Sequence, residues 1–330
     1  MGALVDTQGR ISWGIYDEPV TDVNYLDYDL RTAMGARVSL LRKRLMANQF
    51  HFVGVMGPEV LIGLAVVDLK FLANGFLYVY DRTTKEITEA RDLSLPGKGT
   101  FITTTPDTPA SRYASRKLTI EMTGDTVKAF SKDLELSLRL GTKDARPLRI
   151  CTRAGYTGWV YTQKTSPVPV TGTVVRKGRS HGISSPASMA LVDWTCGYMR
   201  RQTCWNWAAT AWTLPDGRSL GMNLSCGVNE TSFTENAFWI DNGMTKVDTV
   251  NFVFDTHDLF SPWRVLSSDS RVDLTFMPER SRSEKVNAGF IASRFTQLVG
   301  TFEGALRTQG GEVIRIKDCP GFAEDHYAKW

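Results

Sequence analysis

Apolar residues recur at every second position along much of this chain. Leu118, Ile120 and Met122 share one face of a strand, Thr123-Gly124-Asp125-Thr126 turns, and Val127 and Ala129 return. Leu134, Leu136, Leu138 and Leu140 repeat the pattern. A period of two predicts antiparallel strands with one face buried. Upstream, Phe50, Phe52, Val53 and Val55 lead to a Gly57-Pro58 turn. Val60 to Val67 follows as an apolar run interrupted by Gly63, the signature of a buried strand, and then Gly75 to Tyr80 as another. Asp81 to Lys85 reads as the next turn. The opening stretch, to about Leu30, has neither period and reads as an arm or loop, as does the polar segment from Leu95 to Ser115.

The β pattern continues in the second half. Val170 to Arg176 is a strand and Lys177-Gly178-Arg179 a turn. Thr203 to Thr213, a Pro215-Asp216-Gly217 turn and Gly221 to Val228 form a hairpin. Phe238-Trp239-Ile240 enters Asp241-Asn242-Gly243, where Asn-Gly suits a tight turn with positive φ. Alternation returns at Val250, Phe252 and Phe254, at Val272, Leu274 and Phe276, and around the Gln309 to Glu312 turn. Pro278 to Ala292 leaves room for one short helix. Ser166-Pro167-Val168-Pro169 is the best linker candidate. It predicts two β-meander domains of similar size, residues 1–165 and 166–330.

Composition excludes several classes. Hydrophobic residues make up 42% and charged residues 22%, as in an ordinary globular protein. Lys and Arg number 39 against 35 Asp and Glu, and this dispersed excess of +4 argues against nucleic acid as a partner. The run Val60 to Val67 is too short to span a bilayer, so no transmembrane segment is expected, though transient membrane contact remains compatible. The five cysteines lack Cys-x-x-Cys spacing, and no leader is evident. Both features suit a cytoplasmic protein with reduced thiols. The four histidines, His51, His181, His257 and His326, are scattered, so no metal site and no cofactor are expected. Gly178-Arg179-Ser180-His181-Gly182 matches G-x-S-x-G, but Ile183-Ser184-Ser185-Pro186 follows where a nucleophile elbow needs a helix. It reads as a hairpin turn.

Asp193 to Trp239 concentrates the candidate chemistry. Five of the nine tryptophans lie here, mixed with amides and glycines. Trp194, Trp205, Trp207 and Trp239 supply aromatic area, and Asn206, Asn223 and Asn229 supply orientation, a mixture suited to a pocket wall. On a strand, Trp205 and Trp207 share one face and Asn206 takes the other. A competing reading makes the tryptophans core and leaves the asparagines facing water. Asp193, Glu230, Glu235 and Glu324 are the acids nearest this chemistry. Asp193 follows Met189-Ala190-Leu191-Val192, and a carboxyl buried there without a cation beside it could donate a proton. Gly321 to Trp330, with Glu324, His326, Phe322, Tyr327 and Trp330, is too aromatic to lie loose.

Several blocks resemble a bacterial family of unknown function, domain-of-unknown-function family 2804: Asp193-Trp194-Thr195 to Trp212, Gly221 to Trp239, Asp258-Leu259-Phe260-Ser261-Pro262-Trp263, and Gly321 to Trp330. More distantly, the layout is similar to the hydroxyneurosporene synthase and tocopherol cyclase group. There a Gly-Thr-Val hairpin, here Thr171-Gly172-Thr173-Val174, precedes an acid-and-aromatic segment. This chain has Asp193-Trp194 at that point, where those relatives carry an Asp-His or Glu-Asn-rich signature. The resemblance implies an all-β protein of two tandem lipocalin-like (calycin) β-barrels built from antiparallel meanders. It also implies either lipid carriage or acid-catalysed hydration or cyclisation of an isoprenoid alkene.

Residues and resemblance together give a carrier or sequestering protein for a hydrophobic small molecule, a lipid or isoprenoid, with its pocket mainly in the C-terminal domain. Trp194, Trp205, Asn206, Trp207, Asn223, Asn229, Glu230, Trp239 and His326 are the expected binding residues. The alternative is a hydratase or cyclase with Asp193 or Glu324 as proton donor. A structural protein with no cavity is the third reading.

Overall fold

The computed structural model describes residues 2–95, 99–228, 233–289 and 291–330. Nearly all of the regular structure is antiparallel strand. The first sheet contains β1 (Gly14–Ile15), β2 (Asn48–Met56), β3 (Val60–Asp68), β4 (Ala73–Asp81), β5 (Glu86–Ser94), β6 (Phe101–Ile102) and β7 (Ala110–Ala114). It continues with β8 (Leu118–Thr123), β9 (Thr126–Ser131), β10 (Leu134–Leu140), β11 (Leu148–Ala154), β12 (Gly158–Arg176) and β13 (Arg179–Tyr198). The second sheet contains β14 (Gln202–Thr213), β15 (Ser219–Cys226), β16 (Ala237–Ile240), β17 (Gly243–Lys246) and β18 (Val250–Val253). Its remaining strands are β19 (Trp263–Ser267), β20 (Val272–Asn287), β21 (Ala292–Arg307) and β22 (Val313–Lys329). A 3₁₀ turn at Tyr25–Asp27 and the helix α1 (Leu40–Met46) precede β2.

The strand orders are β5-β4-β3-β2-β13-β12-β10-β9-β8-β7-β6 and β17-β16-β15-β14-β22-β21-β20-β19-β18. Each sheet curls into a half-barrel around its own core. In the first, β4 and β5 come over β7, β8 and β10, and Val53, Leu64, Leu77, Leu136, Tyr161 and Trp194 fill the concave side. In the second, β15 reaches β18, and Leu224, Phe238, Trp263, Leu274, Phe276 and Phe302 fill it.

The sheets then pack against each other through their other faces. Met56, Leu61, Tyr78 and Leu191 from the first meet Trp207, Ala209, Val299 and Phe322 from the second. This second burial explains the unbroken apolar run of β3. Ile62 and Leu64 serve the first core, while Leu61 and Ala65 serve the seam. The seam is close enough that a Cβ on Gly221 would stand 2.4–2.6 Å from backbone atoms of Ser166 and Pro167.

Some expectations change. Ser166 to Pro169 lies inside β12, and the chain passes between sheets after Tyr198. Proline fits there because β12 is bulged, with register shifts at Thr165/Val168 and Pro169/Thr171. Pro278–Asn287 belongs to β20 and Ala292 opens β21, so no helix forms there among the described residues. The opening stretch places Val20, Val23 and Leu30 in the first core. The 95–115 segment contains β6 and β7. At Asp241-Asn242 the central pair is one residue earlier than Asn-Gly: Gly243 pairs with Ile240, and Asp241 takes φ 51°. The G-x-S-x-G segment is a hairpin, with Lys177 and Gly178 at φ 48° and 82° and Ser180 paired to Val175.

Candidate functional site

A cavity of about 230 Å³ lies between the two sheets, in neither barrel lumen. Its walls follow from strand register, because residues directly opposite on neighbouring strands point to the same side. On the first sheet, one row runs Lys164, Asp193, Phe52, Ala65, Phe76 across β12, β13, β2, β3 and β4. The next row includes Thr195, Phe50, Val67 and Asn74. On the second sheet, Trp207, Glu324, Gln297 and Arg282 form one row and Trp205, His326, Phe295 and Glu284 the next.

Two bulges create the second wall. Leu274 and Phe276 of β20 point into the second core, but a register shift between Pro278 and Arg280 reverses the alternation, so Arg282 and Glu284 face the cavity. On β22, Ile314 and Ile316 point into that core. A second shift, opposite Phe302/Gly304 with Asp318 at φ 51°, then turns Glu324 and His326 outward. An extra residue in one strand re-aims every side chain beyond it.

Two polar groupings interrupt the apolar walls. In the first, the Lys164 ammonium lies 2.5 Å from Asp193 Oδ2 and 3.5 Å from Glu235 Oε1. Burial works against its charge, but the two carboxylates prevail and hold its pKa above the ordinary lysine value. Asp193 Oδ1 also accepts a hydrogen bond from Thr195 Oγ1 at 3.1 Å.

The second grouping centres on Glu324. Its carboxylate accepts from Gln297 Nε2 at 2.6 Å and from Trp205 Nε1 at 3.3 Å. Among the described residues no lysine or arginine ion-pairs with it. Burial pushes its pKa up to about 7; the two hydrogen bonds and the Arg282 charge oppose the rise, and Asp193 adds to it. Glu324 lines the cavity and is half-buried. His326, in the neighbouring row, is pushed down to about 3 by burial, assisted by Arg282, and is therefore neutral. Its Nε2 lies 3.0 Å from Ser293 Oγ, and its ring is 4.0 Å from that of Trp205. Arg282 is bound by Glu89 Oε1 at 2.6 and 3.0 Å and stacks 4.1 Å over Phe76.

The structure thus brings Asp193, Trp205, Trp207, Glu324 and His326 to one cavity. Asn223 stands behind the wall, where its Oδ1 accepts from Trp207 Nε1 at 2.8 Å and its Nδ2 donates to the Glu235 carbonyl at 2.9 Å. The remaining expected residues lie elsewhere. Trp194 is core in the first half-barrel, edge-on to Tyr161. Asn206 points to the opposite face of β14 and donates to the Glu324 carbonyl and Asp325 Oδ1, both at 3.2 Å. Trp239 packs on Leu148 and Ile150 and donates to the Arg146 carbonyl at 2.9 Å. Asn229 and Glu230 lie outside the described residues.

A cation touches Asp193, whereas among the described residues none ion-pairs with Glu324. Sequence reasoning missed Lys164, Gln297 and Arg282.

Among solved structures the chain is similar to kievitone hydratase from Nectria haematococca, with 8% identity, 97% of this chain and 98% of that one covered, and a TM-score of 0.47. It is also similar to a protein assigned as AttH from Nitrosomonas europaea, with 13% identity, 86% and 92% covered, and a TM-score of 0.38. Comparison with curated proteins finds no match. The family is shown by the sequence itself: the model of the domain of unknown function DUF2804 matches residues 1–330, and the chain belongs to that family.

Proposed function

We propose that this protein binds an uncharged, largely apolar small molecule, a lipid or isoprenoid, in the cavity between its sheets. The observation that carries this reading is an aromatic-walled cavity whose cations are already neutralised. Phe50, Phe52, Phe76, Trp205, Trp207 and Phe295 line it. Of the described residues, its two cations are Lys164, held by Asp193 and Glu235, and Arg282, held by Glu89. A ligand carboxylate or phosphate would compete with these acids rather than meet a waiting charge. The volume accommodates about 15–20 non-hydrogen atoms, from the space one water needs.

Native mass spectrometry of protein purified from its own host tests the reading. The expected result is a retained apolar compound, displaced by the neutral probe N-phenyl-1-naphthylamine and lost when Ala65→Trp fills the cavity. Wild-type protein that retains nothing and binds no neutral probe would end it.

Glu324 favours a second reading, acid catalysis. A carboxyl that is protonated near neutrality and faces an aromatic cavity could transfer its proton to an alkene carbon, forming a C–H bond and a carbocation beside the rings of Trp205 and Phe295. Water would capture the cation, form a C–O bond and return a proton to the Glu324 carboxylate, leaving the alkene hydrated. Glu324→Gln separates the two readings. A carrier retains the same compound in the variant, whereas an enzyme accumulates its unsaturated substrate there.

A further inference from the structure

We infer that α1 and the loop before it form a docking surface for an anionic membrane, set at the end of the molecule where the cavity's strands meet. Helix α1, Leu40 to Met46, buries none of its residues in the protein. Its exposed side chains are nonetheless apolar to an unusual degree: Leu40 is 65% exposed, Leu41 69%, Leu45 43% and Met46 41%, and Met34 on the preceding loop is 93% exposed. Water is a poor final partner for such a cluster.

Charge identifies the partner. Between Asp29 and Glu59 the sequence contains no acid, and it carries Arg31, Arg37, Arg42, Lys43 and Arg44. Asp29 pairs with Arg31 and Arg37, which leaves the three basic residues of the helix in excess. Leucines that can enter the acyl boundary beside arginines that meet anionic headgroups are the two components of interfacial binding. A seven-residue helix has little stability of its own. Here it is fastened to the body: Ser39 Oγ accepts from Arg42 N at its first turn, and Lys43 Nζ donates to the carbonyls of Leu26 and Tyr28.

The placement ties the surface to the cavity. Lys43 grips the chain around the 3₁₀ turn that contains Tyr25, and Lys70 Nζ lies 5.8 Å from the Tyr25 ring centroid. Lys70 belongs to the turn whose Leu69 and Leu72 line the cavity, and β2, which follows α1, supplies Phe50. Phe50 lies 5.9 Å from Trp330, ring centroid to ring centroid, and both line the space, an arrangement suited to passing an apolar molecule between lipid and protein.

Vesicle flotation of the full chain tests the inference. Vesicles of phosphatidylcholine with one-third phosphatidylserine are expected to bind the protein about thirtyfold better than pure phosphatidylcholine, since Arg42 and Arg44 near the surface each add about 1 kcal/mol. Raising the salt from about 0.1 M to about 0.5 M should remove most of that binding. The paired variants Leu40→Ser/Leu41→Ser and Arg42→Glu/Arg44→Glu should each lose it with unchanged far-ultraviolet circular dichroism and melting temperature, since their side chains are exposed. Equal binding to both vesicle types, or variants that bind like wild type, would overturn the inference. So would a wild-type protein that ignores vesicles but forms a dimer broken by Leu40→Ser/Leu41→Ser. The cavity reading survives any of these outcomes, because it is tested with soluble probes.

Discussion

Glu324 and His326 lie two residues apart on β22, face the same cavity, and are both driven toward neutrality. Their effects on stability run in opposite directions with pH. The folded pKa of Glu324 is raised from 4.5 to about 7, so the folded state holds a proton the unfolded chain has lost. That contribution is complete below about 4.5 and disappears as pH rises through 7. His326 and His51 are lowered from 6.5 to about 3 and about 4, chiefly by burial. Their contribution is present above 6.5 and disappears as pH falls through 4 and then 3. Glu324→Gln should therefore abolish the decline between about pH 4.5 and 7, and be more stable than wild type at pH 8 by on the order of 2–3 kcal/mol. Urea denaturation across this range measures it, and parallel curves for the two proteins would contradict the assignment.

At the scale of the strand, the two bulges decide what the cavity contains. Asp318 stands in the left-handed region at φ 51°, where a β-branched residue is strained. Asp318→Val should cost about 1–2 kcal/mol and Asp318→Gly almost nothing, read from denaturant midpoints. Equal midpoints would mean the bulge does not depend on this conformation. The same bulges limit what the sequence could reveal. Strands were legible wherever alternation was clean, as at Leu134 to Leu140, which is β10, or Thr203 to Thr213 within β14. Alternation assigns a face only until the register shifts. Counting by twos from Phe276 or Ile316 sends Arg282, Glu324 and His326 into the second core, and the structure places them on the seam. Trp205 and Trp207 were legible as one wall because β14 carries no register shift. Lys164 and Asp193 meet because β12 and β13 pair there, a partnership the local sequence does not encode. The sequence pointed to a barrel and not to the seam where this cavity lies for the same reason, since an outward face is recognisable as buried only once its opposing sheet is known.

Across the whole molecule, the seam makes the two half-barrels depend on each other. Phe322 stacks on Trp207 and meets Phe52 and Tyr78 edge-on, while Arg282 with Glu89 and Lys85 with Glu279 add polar ties between β20 and the β4–β5 hairpin. Phe322→Ala should cost about 3–5 kcal/mol. In wild type the fluorescence and circular-dichroism transitions should coincide, because tryptophans report from both half-barrel cores and from the seam that joins them. Two separated transitions in wild type would show instead that each sheet folds alone. The position of the cavity has a mechanical consequence as well. A ligand in a barrel lumen leaves sheet-to-sheet adhesion unchanged, whereas one held in the seam becomes part of the adhesive. Loading would then register as stiffness across the joint, and by reciprocity any influence that prises the sheets apart would weaken the ligand's hold by the same free energy.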